Sequence, residues 1–208
     1  MSSLRAELGG SVPPPTPYSI LCPPAWRRVA PSALLEEDTS KALFDTMKGA
    51  GRADLVLEMR TMLSQYRRSI RDLNAFDMYL PPLVDGVMIP ASLLVSPLVL
   101  PTGVDWDAAL VRLARGNAVD EADFTETRMW VWRRSDTLRH DSVELGIRES
   151  TYIVPVPEEA AMRRALRFQF TVLVTPGAGA DAETERLLAL GDLMMSTMNW
   201  RLPGSGRR

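Results

Sequence analysis

Residues 167–175 alternate apolar and polar side chains with a period of two. The even positions are large and apolar, and the odd positions are polar apart from Leu173. Successive side chains of a β-strand point to opposite faces, so this pattern predicts a strand with one dry face and one wet face. A sheet with a solvated face is usually antiparallel, which constrains the rest of the fold.

This strand is the last of three in a row. Residues 125–134 and 143–156 predict the two earlier strands, and residues 135–140 predict the turn between them. After the last strand, Asp181 predicts the N-cap of a terminal helix with an apolar stripe. The stripe consists of Leu187, Leu190, Met194 and Met198, widened by Leu188 and Met195.

The earlier part of the chain mixes strands and helices. Residues 18–22 predict a short strand, and residues 32–49 and 54–73 predict two helices. Residues 87–100 predict edge-strand pieces after a hairpin-type turn at Asp85-Gly86. The edge assignment depends on Pro90 and Pro97, which cannot donate hydrogen bonds to a ladder.

A short helix is predicted between this region and the three strands. Asp105 is a suitable N-cap, the helix continues to Ala114, and Gly116 suits a left-handed C-terminal position. Strands in consecutive runs, rather than alternating with helices, predict an α+β fold with an antiparallel sheet and helices packed on it.

The chain length favours one domain. With 208 residues, we expect a single α+β domain over residues 18–200, with flexible tails at 1–17 and 201–208. The tails are predicted from Gly, Pro and Ser content, which disfavours a packed structure.

Composition excludes several classes of partner. The net charge of −2 provides no general attraction to nucleic acid or to an anionic membrane. The longest apolar stretch, residues 87–100, is too short and too interrupted to span a bilayer. Cys22 is the one cysteine, so no disulfide can form within the chain, and a reducing compartment such as the cytoplasm is expected.

The sequence predicts no catalytic residue, metal site or cofactor. His140 could act as a base with Asp136 or Asp141, but no nucleophile pattern accompanies it, and a solvated turn histidine is the favoured interpretation. Cys22 has no neighbour that would lower its pKa, so it is expected to pack in the interior. The acidic loop at 117–123 lacks metal-ligand spacing.

Partner binding has two candidate surfaces. Trp130 and Trp132 point to the same side of their strand: either they pack beneath the terminal helix, or they line a concave apolar surface rimmed by Arg133 and Arg134. The second surface is the helical face that carries Arg60, Arg67 and Arg71. It could dock an acidic partner, although such a face is more often simply solvated.

The layout resembles the PsbP-like fold. The matching pieces are the Pro24-Ala25-Trp26 segment, the "Tyr-Ile-Val-Pro" run at 152–155 with the strand after it, and the terminal helix before Trp200. The family includes extrinsic photosystem subunits, a Ran-binding nuclear transport factor, actinobacterial lipoproteins and adaptors that chaperone secreted effectors. The resemblance implies a binding or adaptor role without an active site, although the lipobox of the lipoproteins is missing here.

Three functions remain open from the sequence. The leading hypothesis is a noncatalytic cytoplasmic protein-interaction module that holds an apolar partner segment and acts as an adaptor or chaperone linked to bacterial protein secretion. A homo-oligomer is left open as its assembly state. The alternative is a carrier or sensor of a small apolar ligand, with a pocket between sheet and helices. The third is a hydrolase with an unrecognised site.

Overall fold

The computed structural model describes six stretches of the chain: residues 17–31, 70–84, 87–140, 143–157, 163–174 and 180–201. Almost all of the two predicted tails, the predicted helix at 32–49 and most of the one at 54–73 lie outside them. Residues 70–72, the end of the second predicted helix, are helical.

Eleven strands and two complete helices are described. The strands are β1 (Tyr18–Ser19), β2 (Arg27–Val29), β3 (Asp77–Leu80), β4 (Leu83–Val84), β5 (Val87–Met88), β6 (Ala91–Val99), β7 (Asp120–Glu121), β8 (Trp130–His140), β9 (Val143–Pro155), β10 (Arg164–Val174) and β11 (Asn199–Trp200). The helices are α1 (Trp106–Ala114) and α2 (Ala180–Ser196).

Seven of these strands form one antiparallel sheet in the order β2-β3-β6-β10-β9-β8-β7. The long strands β8, β9 and β10 are consecutive neighbours, as the sequence predicts. Helices pack on this sheet, so the predicted α+β class with an antiparallel sheet is confirmed. β4 and β5 form a separate two-residue ladder around positions 85–86, as expected for a hairpin.

The first face of the sheet, the α2 face, carries the largest part of the core. The even-numbered apolar positions of β10 point to this face, as the alternation predicts. The buried members from the sheet include Leu93, Val95, Tyr152, Val154, Leu166, Phe168, Phe170 and Val172. The helix contributes Leu188, Met194, Met195 and Met198. Burial of these side chains fixes α2 on the sheet.

The opposite face, the α1 face, is also largely covered. α1 packs its Leu110 and Ala114 over Trp130, Trp132 and neighbouring residues at one end of the sheet. At the other end, Ile70 packs on Met78 and Leu94. The prediction of a solvated second face is therefore wrong for much of the sheet, because periodicity within one strand does not reveal what a distant segment covers.

β6 is a central strand, so the predicted edge position of residues 87–100 is also wrong. Pro97 lies inside β6, opposite Leu166 of β10. The carbonyl of Val95 accepts from the Phe76 amide, so the backbone of Val95, and of Pro97 two residues later, faces the β3 side. The β3 ladder ends at Asp77 opposite Val95, so Pro97 has no ladder hydrogen bond to lose there.

Two local predictions have different outcomes. The helix prediction at 105–116 is confirmed: Asp105 Oδ1 accepts from the Ala108 amide at 2.7 Å, and both Arg115 and Gly116 have positive φ after the helix. The turn predicted at 135–140 is wrong, because β8 continues through these residues to His140, which pairs with Val143.

A small two-stranded ladder joins distant parts of the chain. β1 pairs with β11, with Tyr18 opposite Trp200. The Leu21 amide donates to Thr197 Oγ1 at 2.8 Å, and the Arg201 amide donates to the Pro17 carbonyl at 2.8 Å. These bonds hold residues 17–21 beside the end of α2. We call this ladder the terminal clasp.

Candidate functional site

Trp130 and Trp132 are buried, at 7% and 6% exposure, beneath α1. They lie on the α1 face, so the interpretation that places them under the terminal helix is wrong, and they do not form an open apolar surface either. The register explains this position. Trp130 is opposite Ile153, and Ile153 is opposite Arg167, whose side chain lies on the sheet face away from α2. Trp106 of α1 contacts Trp130, with ring centroids 5.2 Å apart.

A shallow groove of about 300 Å³ opens beside Trp130, between α1 and the edge strand β7. Its lining residues are Asp107, Leu110, Val111, Val119, Glu121 and Trp130. Val111 is 69% exposed, which is high for a large apolar side chain on a packed helix. We call this feature the α1–β7 groove. It combines an apolar lining with two carboxylates.

One arginine of the chain already contacts the Trp130 side of this groove. Arg128 Cζ lies 4.8 Å from the centroid of a Trp130 ring, within cation–π range. Arg128 Nε also donates to Glu121 Oε1 at 3.1 Å. Glu121 is therefore already neutralised within the chain. No ion pair is described for Asp107, so it is the carboxylate with more capacity for an added cation.

Arg133 and Arg134 point to different faces of β8. Arg133 donates to Asp192 of α2 at 2.5 Å, and Tyr152 OH donates to the other oxygen of Asp192 at 2.6 Å. Burial, with the bond to Asp192, raises the pKa of Tyr152. Arg133 thus connects sheet and terminal helix instead of rimming the two tryptophans.

Arg134 belongs to a polar group on the α1 face. Its Nη2 lies 3.6 Å from Glu149 Oε2, and Glu149 also accepts from Thr151 at 3.0 Å and Gln169 at 2.6 Å. Glu149 and Thr151 are buried. The Nε of Arg134 is buried without a hydrogen-bond partner, so its donor capacity is only partly used.

Arg167 is a functional candidate that sequence reasoning missed. It is half-buried on β10, and its Nε donates to Ser96 Oγ of β6 at 3.0 Å. Burial lowers the pKa of its guanidinium, and the negative charge of Glu149 partly opposes this effect. In the sequence, Arg167 stands at an odd position of the period-two pattern, which predicts a solvated side chain. Periodicity within one strand does not show that other residues partly cover that face.

The second predicted surface is only partly described. Arg60 and Arg67 lie outside the described residues. Arg71 is exposed and has an interaction partner. Whether the three arginines form one face therefore stays a prediction.

A polar cluster, buried apart from the exposed Arg28, lies near the terminal clasp. Tyr18 OH donates to Asp77 Oδ2 at 2.8 Å and lies 3.1 Å from Tyr79 OH, while Arg28 binds both Asp77 oxygens at 2.8 and 2.6 Å. Burial raises the pKa of both tyrosines and of the half-buried Cys22 thiol. Because all the polar groups bind one another, the cluster holds β1 on the sheet.

The residues considered for catalysis do not form a site within the described chain. His140 ends β8 at the tip of the β8–β9 hairpin, and Asp141 lies outside the described residues. Asp136 is exposed and accepts from the amide of Thr137. No group of three or more His, Cys, Asp and Glu side chains that could hold a metal ion occurs in the six described stretches.

The described helices also bear on membrane association. Neither α1, α2 nor the helical residues at 70–72 provides a segment long and apolar enough to span a bilayer.

Comparisons with known proteins identify no family. No family model and no curated protein matches this chain. Among solved structures, the chain is similar to a crystal structure from Bacteroides thetaiotaomicron VPI-5482, with 11% sequence identity and a TM-score of 0.42. The match covers 90% of this chain and 46% of the other, so this chain spans about half the length of that protein.

Proposed function

We propose that this protein is a noncatalytic protein-interaction module that binds a partner segment in the α1–β7 groove. The observation that carries the proposal is the exposed Val111 beside an apolar lining that ends at Trp130. An exposed apolar contact beside a buried aromatic residue is a common arrangement for anchoring a partner side chain.

The charges of the groove define the partner. An apolar side chain would contact Val111, Leu110 and Val119, and a neighbouring lysine or arginine would reach Asp107. Arg128 already neutralises Glu121, so one basic residue in the partner suffices. The partner is therefore a peptide segment with an apolar residue next to a basic one.

The two buried carboxylates of the described residues, Asp77 and Glu149, support a noncatalytic role. Asp77 is bound by Arg28 and Tyr18, and Glu149 is bound by Gln169 and Thr151. A general acid or base needs an open position for substrate, and these carboxylates already have internal donors. The proposal places the protein in the cytoplasm as an adaptor or chaperone linked to secretion, in keeping with the PsbP-like resemblance and with a single half-buried thiol.

Peptide selection tests this function. A random peptide library is selected on the wild-type protein, and the recovered peptides are titrated by fluorescence anisotropy against Val111→Arg and Leu193→Arg. Leu193 is also exposed on a helix, at 63%, but lies on α2, so it is the matched control.

We expect selected peptides to pair apolar with basic residues, and Val111→Arg to weaken their binding at least tenfold, about 1.4 kcal/mol. Leu193→Arg should bind like the wild type. Peptides that bind Val111→Arg as tightly as the wild type would exclude the groove as the binding surface.

A further inference from the structure

A cation of the chain itself lies on Trp130 at one end of the α1–β7 groove. Arg128 Cζ is 4.8 Å from the centroid of a Trp130 ring, and Arg128 Nε donates to Glu121 Oε1 at 3.1 Å. Trp130 and Glu121 both line the groove. An aromatic face beside a carboxylate attracts a cation through the ring quadrupole and through the negative charge. The contact with Arg128 therefore indicates which ligand chemistry this end of the groove accepts.

The β7–β8 ladder builds this arrangement. Glu121 of β7 is directly opposite Trp130 of β8, so the two side chains are neighbours on one face of the sheet. The Ala122 amide donates to the Met129 carbonyl at 2.9 Å, which continues the pairing towards Arg128. Arg128 precedes Trp130 by two residues, the spacing that places side chains on one face of an extended chain. The strand register thus brings ring, carboxylate and guanidinium together.

The aromatic ring is fixed, whereas the cation on it is accessible to solvent. Trp130 is only 7% exposed, and Trp106 of α1 contacts it with ring centroids 5.2 Å apart. The side chains of Arg128 and Glu121 are 54% and 60% exposed. An ion pair at such exposure stabilises little, because water competes for both charges. Arg128 is therefore an occupant that a second cation can replace without disturbing the core.

We propose that Trp130 and Glu121 form a guanidinium-binding site of the α1–β7 groove and that Arg128 is its intramolecular competitor. The inference rests on the proposed function, in which a partner segment binds in this groove. While Arg128 occupies the site, the basic residue of the partner contacts Asp107, which also lines the groove. A second basic residue must displace Arg128, whose attachment to the chain gives it a high effective concentration. Arg128 thus determines how many basic residues the groove accepts.

Removal of Arg128 tests the site without any peptide. The probe is N-acetylargininamide, and its control is N-acetylcitrullinamide, because citrulline matches arginine in shape but carries no charge. Both are titrated against the full-length wild type, Arg128→Ala and Arg186→Ala, with tryptophan fluorescence and the unfolding midpoint as readouts. Arg186 is an exposed arginine on α2, so its replacement changes the net charge equally and should leave probe binding as in the wild type.

We expect Arg128→Ala to bind N-acetylargininamide about fivefold more tightly than the wild type, and to bind the citrulline compound no better. Glu121→Gln in the Arg128→Ala background should remove most of this gain, because a neutral amide does not attract the cation. Arg128→Gln, which also lacks the charge, keeps the test valid if the alanine variant does not fold. Equal affinity of the wild type and the folded Arg128 variants, equal gains with both compounds, or a gain that survives Glu121→Gln overturns the proposal.

Peptide selection separates this inference from the proposed function. Peptides selected on Arg128→Ala should carry two basic residues beside the apolar one, and peptides selected on the wild type should carry one. If the probe behaves as expected but peptide binding is insensitive to Val111→Arg, the guanidinium site is supported and only the proposed function fails. If peptides depend on Val111 but carry one basic residue in both selections, the role of Arg128 is overturned and the proposed function stands.

Discussion

Gly191 of α2 lies directly against the ring of Phe170. A β-carbon built on Gly191 would be 2.8 Å from Phe170 Cγ and 2.9 Å from Cδ1, closer than real β-carbon contacts. Helix backbone and aromatic ring therefore touch without an intervening side chain. This close approach allows the neighbouring Met194 and Met195 to reach the sheet, where both are buried.

Gly191→Ala should destabilise the protein by about 1–3 kcal/mol, because the added methyl group must displace the Phe170 ring or the helix. In an exposed helix the same change would stabilise by about 1 kcal/mol through helix propensity. The sign of the change in the free energy of unfolding therefore shows whether packing or propensity dominates. The measurement is the free energy of unfolding in urea. Ala189→Gly, at an exposed position of α2, is the control and should cost about 1 kcal/mol. A Gly191→Ala protein as stable as the wild type would show that the contact relaxes easily.

Stability should fall steeply above pH 10. Burial raises the pKa of Tyr18, Tyr79 and Tyr152 in the folded state, while unfolded tyrosines ionise near pH 10. Below pH 10 both states hold these protons, so the tyrosines add no pH dependence to the free energy of unfolding. Above it, the unfolded state loses protons that the folded state keeps, and each such tyrosine costs about 1.4 kcal/mol per pH unit.

The alkaline loss is measured by urea unfolding between pH 8 and 11.5 in a Cys22→Ser background, which removes the thiol titration. Tyr152→Phe in this background should reduce the slope by about one proton. An unchanged slope would mean that Tyr152 does not keep its proton in the folded state above pH 10.

Asp105→Ala should lower stability by about 1 kcal/mol, because the first turn of α1 loses its capping acceptor for the Ala108 amide. α1 covers Trp130 and Trp132, so fluorescence should shift to longer wavelength as the helix frays. Asp105→Asn keeps a capping oxygen and should stay within a few tenths of a kcal/mol of the wild type. Equal losses in both variants would indicate that the charge, not the cap, stabilises the helix.

Features encoded by neighbouring residues could be predicted from the sequence. The alternation of apolar and polar residues in β10 predicts which of its side chains pack against α2. Asp105 and Gly116 predict the two ends of α1. Each depends on interactions within a few residues, where dihedral preferences and side-chain direction decide the outcome. The consecutive strands β8, β9 and β10 are predictable for the same reason.

Features set by contacts between distant segments could not be predicted. Pro97 indicates an edge strand, but β3 pairs with β6 at residues 93–95, so β6 is central. This pairing stops before Pro97, which is why the proline is tolerated there. Trp130 packs against α1, not α2. Strand periodicity separates the two faces of the sheet but does not show which helix covers which face. For the same reason the period-two pattern predicts a solvated Arg167, whereas its side chain is half-buried.

The terminal clasp affects how the chain is completed during synthesis. Leu21 and Thr197 are hydrogen-bonded although 176 residues separate them. A ribosome makes the chain from its amino end, so β1 has no strand to pair with until β11 leaves the exit tunnel. Until then, the side-chain bonds from Tyr18 to Asp77 and Tyr79 lack the backbone ladder that supports β1 in the folded protein.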